Sequence, residues 1–265
     1  MTGPRVLALD FDGVVCDGRP EYFEAARRAY EAAWPGRRAA APPDIQAKFS
    51  GLRPVIESGW EMPVLYHALS AGVPARELAD RATWLVTARR LLGEAGIDAI
   101  AVGHALNAVR DEWFARDPDG WLAHHVFYPG VCERIEGLIG GLTRVVIVST
   151  KAERFVRALL AAQRPALAGV PVIGRDPARV VPKPETLRRL AVEHGLPRGG
   201  AGLWFVEDLL ETLEAAQREP DLGDVRFFLA AWGYNTLEHR AAVSVRPFVT
   251  LLSLAGFAGA CSGWR

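Results

Sequence analysis

Five short runs of β-branched and aromatic residues constrain this chain more than any other feature. They are "RVLALD" (5–10), "TRVVIVS" (143–149), "VPVIG" (170–174), "GLWFVED" (202–208) and "DVRFFLAAW" (224–232). A strand with one wet face alternates polar with apolar residues. These runs do not alternate, so each reads as a strand buried on both faces. Segments with helical patterning lie between the later ones, at 151–163, 184–195 and 209–219. The first carries Phe155, Val156, Leu159 and Leu160 on one face, and the second opens on Pro-Glu and closes on Gly. Strand–helix alternation of this kind predicts βαβ units and a doubly wound parallel sheet, an α/β fold.

The interval from about 19 to 126 has a different character. It is rich in Ala, Arg, Glu and Trp and shows no long β run. Helices are expected over 20–34, 74–96 and 98–115, with a loop at "AAAPPD" (39–44). "FYPGV" (127–131) reads as the return to the sheet. The expected domains are therefore an α/β core from 1–18 and 127–265, interrupted after its first strand by a helical insert over 19–126. Near the end, "FVTLLSLAGFAGAC" falls short of the ~20 residues that span a bilayer and reads as a buried strand or helix.

Charge and cysteines exclude several function classes. The chain has 265 residues, 31 basic and 31 acidic, for a formal net charge of zero. That leaves no global field for nucleic acid and no polybasic run for a membrane surface. Cys16, Cys132 and Cys261 are far apart without CxxC spacing, against a disulfide framework or a zinc site. A reducing cytoplasm is the expectation, and a charged strand end within ten residues of Met1 leaves no room for a signal peptide. No heptad or exposed apolar stripe indicates an oligomeric state.

In a doubly wound sheet, ligands bind at the carboxyl ends of the strands. The first run ends in Asp10-Phe11-Asp12, the second in Ser149-Thr150-Lys151 and the fourth in Glu207-Asp208, with Glu211 three residues on; Lys183 precedes a helix in "VPKPE". Crowded carboxylates repel one another unless a cation compensates. Mg²⁺ is such a cation, taking a few carboxylates plus substrate phosphate. A carboxylate beside it can act as a nucleophile, a second acid can move protons, and a lysine and a hydroxyl can hold phosphoryl oxygens. Each residue also has a plainer reading. Two strand-end acids can cap a turn, Ser149 can N-cap the helix at 151–163, and Lys183 can be a solvated loop residue. His124-His125 lack a third ligand nearby, and Trp60, Trp84, Trp113 and Trp121 read as core of the insert.

In this order, "DFDGVVCD", "VVIVST", "VPKP" and "FVED" resemble the four motifs of the haloacid dehalogenase (HAD) superfamily. The resemblance covers the whole α/β part and implies a Rossmann-like HAD core, with the insert as a C1 helical cap. It implies that Asp10 is the nucleophile and Asp12 the general acid/base. Ser149, with Thr150 as its rival, would supply the hydroxyl of the second motif, and Lys183 would steady nucleophile and phosphate. Mg²⁺ would be held by Asp10, Asp208 and the backbone carbonyl of Asp12, with Glu207 or Glu211 assisting. Gly13 would allow the turn into a flap, "VVCDG". Glu207 stands where the family commonly has Gly, and Glu211 follows Asp208 sooner than the family's later acid does. From the insert, Arg53 is the candidate substrate contact. The dehalogenases that name the superfamily lack the second Asp, so Asp12 implies phosphoryl transfer. The expectation is a Mg²⁺-dependent phosphatase acting on a small phosphorylated metabolite. The alternatives are a phosphomutase of the β-phosphoglucomutase type and a non-catalytic binding protein on the same fold.

Overall fold

The computed structural model describes residues 3–36, 42–175 and 181–264. The chain divides into two compact units, Met1–Asp17 with Val126–Arg265, and Gly18–His125.

The first unit is built on a six-stranded sheet. Its strands, with a two-stranded ribbon counted in chain order, are β1 (Val6–Leu9), β2 (Cys16–Asp17), β3 (Val126–Phe127), β4 (Arg144–Ala152), β5 (Val172–Arg175), β6 (Leu203–Glu207), β7 (Arg226–Ala230) and β8 (Val249–Leu252). The large sheet runs β5-β4-β1-β6-β7-β8, and every pairing in it is parallel. β2 and β3 form the separate antiparallel pair. All five apolar runs contain strands; those of β1, β4, β6 and β7 are largely or wholly buried, while the edge strand β5 is only partly so. Val6, Ala8, Val146, Val148, Phe205 and Phe227 face the helices Lys183–Glu193 and Leu210–Gln217, through Leu187, Leu190, Leu210 and Leu213. On β6 and β7 the alternate residues Trp204 and Phe228 meet Phe257 and Trp264 in an aromatic cluster. Burying a Leu or Phe side chain stabilises by about 1.5–3 kcal/mol, so the central strands are the most costly place to introduce charge. The sixth strand, β8, comes from the run near the C-terminus, which splits into that strand and a short helix, Leu254–Ala258, started by Ser253 accepting from the Gly256 N–H.

One boundary differs from expectation in a way that matters below. The second helix of the core begins at Glu153, not at 151, because β4 runs on through Ala152. Its N-cap is Ala152, without a side-chain cap, so Ser149 does not cap it.

Among its described residues, the regular elements of the second unit are all helices. Its larger elements are Arg19–Ala33, Ile45–Gly51, Glu61–Ser70, Arg81–Ala95 and Ala99–Arg116. Two of these, Ile45–Gly51 and Glu61–Ser70, were not expected. The helix expected over 74–96 breaks at Asp80, whose carboxylate accepts from the Thr83 N–H at 2.8 Å and so starts a new helix there. Of the loop expected at 39–44, residues 39–41 lie outside the described residues, and 42–44 carry no helix or strand. Trp84, Trp113 and Trp121 are buried core, and Trp60 is half-buried. His124 and His125 direct their Nδ1 atoms at the Gly120 and Trp121 carbonyls one turn back. No helix among the described residues is long and apolar enough to cross a membrane.

Candidate active site

Register places the acids. Leu9 pairs with Ile147 on one side and Val206 on the other, and the Asp10 N–H donates to the Val206 carbonyl at 2.9 Å. Asp10 is therefore the first residue past β1, level with Glu207 at the end of β6. Asp208 follows at once. One carboxylate oxygen from each of Asp10, Glu207 and Asp208 falls within a group whose atoms all lie within 4.8 Å of one another. All three residues are buried.

Lys183 opens the helix Lys183–Glu193 and reaches into this group. Its Nζ lies 2.7 Å from Asp10 Oδ1 and 2.6 Å from Glu207 Oε2. Glu207 is folded back over its own strand end, its Oε1 accepting from the N–H groups of Asp208 (3.0 Å) and Leu209 (3.1 Å). Asp208 Oδ2 accepts from the Tyr234 N–H at 2.6 Å. Glu211 stands elsewhere: it is half-exposed and pairs with His239 at 3.5 Å.

Burial pushes the Asp10 carboxyl up to about 7; the adjacent Glu207 charge adds to this and Lys183 opposes it. For Lys183, burial disfavours the ammonium, but Asp10 and Glu207 outweigh burial and its pKa is raised. Three carboxylates against one ammonium leave two negative charges when all are ionised, the charge that a divalent cation carries. Hard oxygen donors in that number fit Mg²⁺.

The backbone makes room for this crowding. Gly13 has φ +90, in the left-handed region, and a Cβ there would run into the Asp208 carboxylate. Asp10 to Cys16 forms a tight turn in which the Val15 and Cys16 N–H groups both donate to the Phe11 carbonyl at 2.9 Å. The segment after β7 fastens it: Trp232 Nε1 donates to the Val14 carbonyl at 3.0 Å, and the Tyr234 hydroxyl to Asp17 at 3.1 Å. A Cβ on Gly233 would come within 2.6 Å of the Gly13 carbonyl oxygen.

Asp12 belongs to a second pair. Lys151 Nζ lies 3.1 Å and 3.3 Å from its two carboxylate oxygens, and both side chains are largely buried. Ser149 is buried at the end of β4, and its Oγ accepts from the Lys151 N–H at 3.1 Å; Thr150 is exposed. Arg53 belongs to the helical unit, where its guanidinium donates to the Ile56 carbonyl at 2.7 Å and lies over the Tyr22 ring. Among the sequence candidates, the first unit thus assembles Asp10, Lys183, Glu207 and Asp208 into one cluster, with Asp12 and Ser149 tied together through Lys151. Sequence reading set Lys151 at the end of the second run but gave it no role, because a helix was expected from 151, and it missed Tyr234. Tyr234 acts here through its backbone N–H, which no side-chain pattern reveals.

The solved structures that this chain resembles share this architecture end to end. A hydrolase of Streptococcus pneumoniae, described as a haloacid dehalogenase-like family protein, superposes with a TM-score of 0.58 at 12% identity over 95% of both chains. The fold is that of the haloacid dehalogenase-like hydrolases. A protein described as a predicted phosphatase, from Clostridium acetobutylicum, gives a TM-score of 0.60 at 11% identity, covering 97% of both chains. One described as a predicted phosphoglycolate phosphatase, from Haemophilus somnus, gives 0.56 at 14% identity, over 89% of this chain and 88% of that one. No protein-family model matches the sequence, and no curated protein does. At these identities the HAD-like fold is shared while function has to be argued from the site.

Proposed function

We propose that this protein is a HAD-superfamily phosphatase, a Mg²⁺-dependent hydrolase of small phosphorylated metabolites that works through an aspartyl-phosphate. The observation that carries the reading is the buried trio Asp10, Glu207 and Asp208, with Lys183 bridging Asp10 and Glu207, set at the carboxyl ends of β1 and β6. Asp10, Asp208, Glu207 and the Asp12 carbonyl are the groups that would hold the ion. When bound, Mg²⁺ would offset the charge between Asp10 and an incoming phosphoryl group.

The remaining chemistry belongs to the chain's own side chains. Asp10 attacks phosphorus in line, and its oxygen–phosphorus bond forms as the bond to the leaving oxygen breaks. Asp12 gives that oxygen a proton, then takes one from the water that hydrolyses the acyl-phosphate. Lys183 keeps Asp10 oriented and offers positive charge to the phosphoryl oxygens. Ser149 donates its hydroxyl to them; its burial beside an exposed Thr150 supports this choice. The helical unit, Gly18–His125, is the cap that selects the leaving group, with Arg53 its candidate substrate contact. Three free, buried cysteines favour a reducing cytoplasm.

The test is phosphate release from p-nitrophenyl phosphate and a panel of metabolite phosphates, with and without Mg²⁺, for the wild type and Asp10→Asn. The panel includes phosphoglycolate, which the descriptions of three structural neighbours name. Mg²⁺-dependent release that Asp10→Asn abolishes supports the reading. Conversion of a sugar phosphate to its isomer without free phosphate would instead identify a mutase. Ion binding without turnover on any panel member would identify a binding protein.

A further inference from the structure

We propose that Lys151 is a positioning residue for Asp12, holding the acid/base carboxyl where it meets the leaving oxygen; this rests on the phosphatase reading above. The contact is two-fold, with Nζ 3.1 Å from one Asp12 oxygen and 3.3 Å from the other. An ammonium that touches both oxygens fixes the rotation of the carboxyl group as well as its location. A carboxyl on a short side chain beside a glycine turn is otherwise free to turn away.

The backbone around Lys151 is built to bring it there. Val148 of β4 pairs with Ile173 of β5, but the next pair is Ala152 with Arg175. Three β4 residues, 149–151, therefore stand opposite the single residue Gly174. Such a bulge re-aims side chains beside a site. Gly174 permits it, since a Cβ there would lie 2.5 Å from the Glu153 backbone. The Lys151 N–H is held in turn by Ser149 Oγ at 3.1 Å, so the phosphoryl-facing hydroxyl and the acid's holder are locked to one another. The pair also bridges neighbouring strands, because Asp12 follows β1 and Lys151 is the last residue but one of β4. A purely structural ion pair at this depth gains little over apolar packing once desolvation is counted, which leaves its geometry as the reason for it.

In the step at stake, the phosphorus–oxygen bond to the leaving group breaks as the Asp10 oxygen–phosphorus bond forms, and the Asp12 carboxyl proton passes to the departing oxygen. A good leaving group needs that proton little and a poor one needs it badly. The experiment compares kcat/KM for p-nitrophenyl phosphate and phenyl phosphate with Mg²⁺, in the wild type, Lys151→Met, Lys151→Arg and Asp10→Asn. Because kcat/KM ends at phosphoenzyme formation, the later role of Asp12 with water does not enter. Positioning predicts that Lys151→Met loses roughly 100-fold on phenyl phosphate and no more than about 10-fold on p-nitrophenyl phosphate, within the range of general acid catalysis. It also predicts that Lys151→Arg recovers most of the difference. An equal loss on both substrates, as phosphoryl binding or a structural role would give, overturns the proposal, and so does no loss at all. If Met at this buried position prevents folding, Lys151→Gln undergoes the same comparison. A wild type without Mg²⁺-dependent release, or an Asp10→Asn variant as active as the wild type, defeats the phosphatase reading itself and the proposal with it.

Discussion

Both units bury acids, and they treat them in opposite ways. In the helical unit Glu21 and Glu61 are fully buried, and each meets a guanidinium. Arg110 meets Glu21 through two nitrogens, at 2.7 Å and 3.0 Å. Arg81 pairs with Glu61, which also accepts from Trp84 Nε1 at 2.7 Å. Arg81 also meets the more exposed Glu57 at 2.9 Å, and these guanidinium–carboxylate contacts tie helices together. In the α/β unit Asp10, Glu207 and Asp208 crowd together, Lys183 pairs with Asp10 and Glu207, and the Asp10 carboxyl is still raised to about 7. A fold does not need such an imbalance for its own sake. An excess of buried negative charge marks a place where a cation and a reaction are expected, whereas matched buried charge marks architecture.

Substitutions break or sharpen this contrast. The largest effect is expected from Asp10→Asn, which should lower phosphate release by roughly 10⁴-fold or more, as loss of a nucleophile does, while the variant remains folded by circular dichroism. Next comes Arg110→Met, which removes two charge-assisted hydrogen bonds from the buried Glu21. It should cost roughly 3–5 kcal/mol in denaturant unfolding, and Mg²⁺ should not restore the loss. Glu207→Gln should raise the Mg²⁺ concentration needed for half-maximal activity by about 10–100-fold, because it removes one site charge and weakens the hold on Lys183.

The smallest effect is on the metal-free protein. A carboxyl whose folded pKa is raised binds its proton more tightly in the folded state. Its stabilising contribution is present below about 4 and is lost as pH rises through about 7. At pH 8 without metal, Asp10→Asn should therefore be more stable than the wild type by roughly 1–3 kcal/mol. Near pH 4 that advantage should vanish, and saturating Mg²⁺ should stabilise the wild type more than the variant. Thermal unfolding across pH, with and without Mg²⁺, checks all three.

The central strands were legible because burial on both faces leaves a continuous apolar run, whereas the helix Glu61–Ser70, also buried almost all round, carries a similar run and was not picked out. The acids at their ends were legible for the same reason: a carboxylate that closes such a run has nowhere to go but the sheet's rim. β8 was ambiguous because its run continues into the helix Leu254–Ala258 without a polar break. Helix ends in the insert were harder to read. Asp80 starts a helix through one hydrogen bond, and periodicity runs straight across it. The choice between Glu207 and Glu211 needed three dimensions, since only the register of β1 with β6 puts Glu207 beside Asp10. Lys151 needed them too. An extra stretch of strand and the absence of a side chain at Gly174 carry it to Asp12.

The central claim is that Asp10 carries the phosphoryl group during turnover. The most direct measurement is mass spectrometry of the protein acid-quenched during turnover with Mg²⁺ and the best substrate. The account predicts one phosphoryl group, placed by peptide fragmentation on Asp10 and absent from Asp10→Asn. Continued phosphate release with no phosphorylated peptide, or with the group on any other residue, would contradict it.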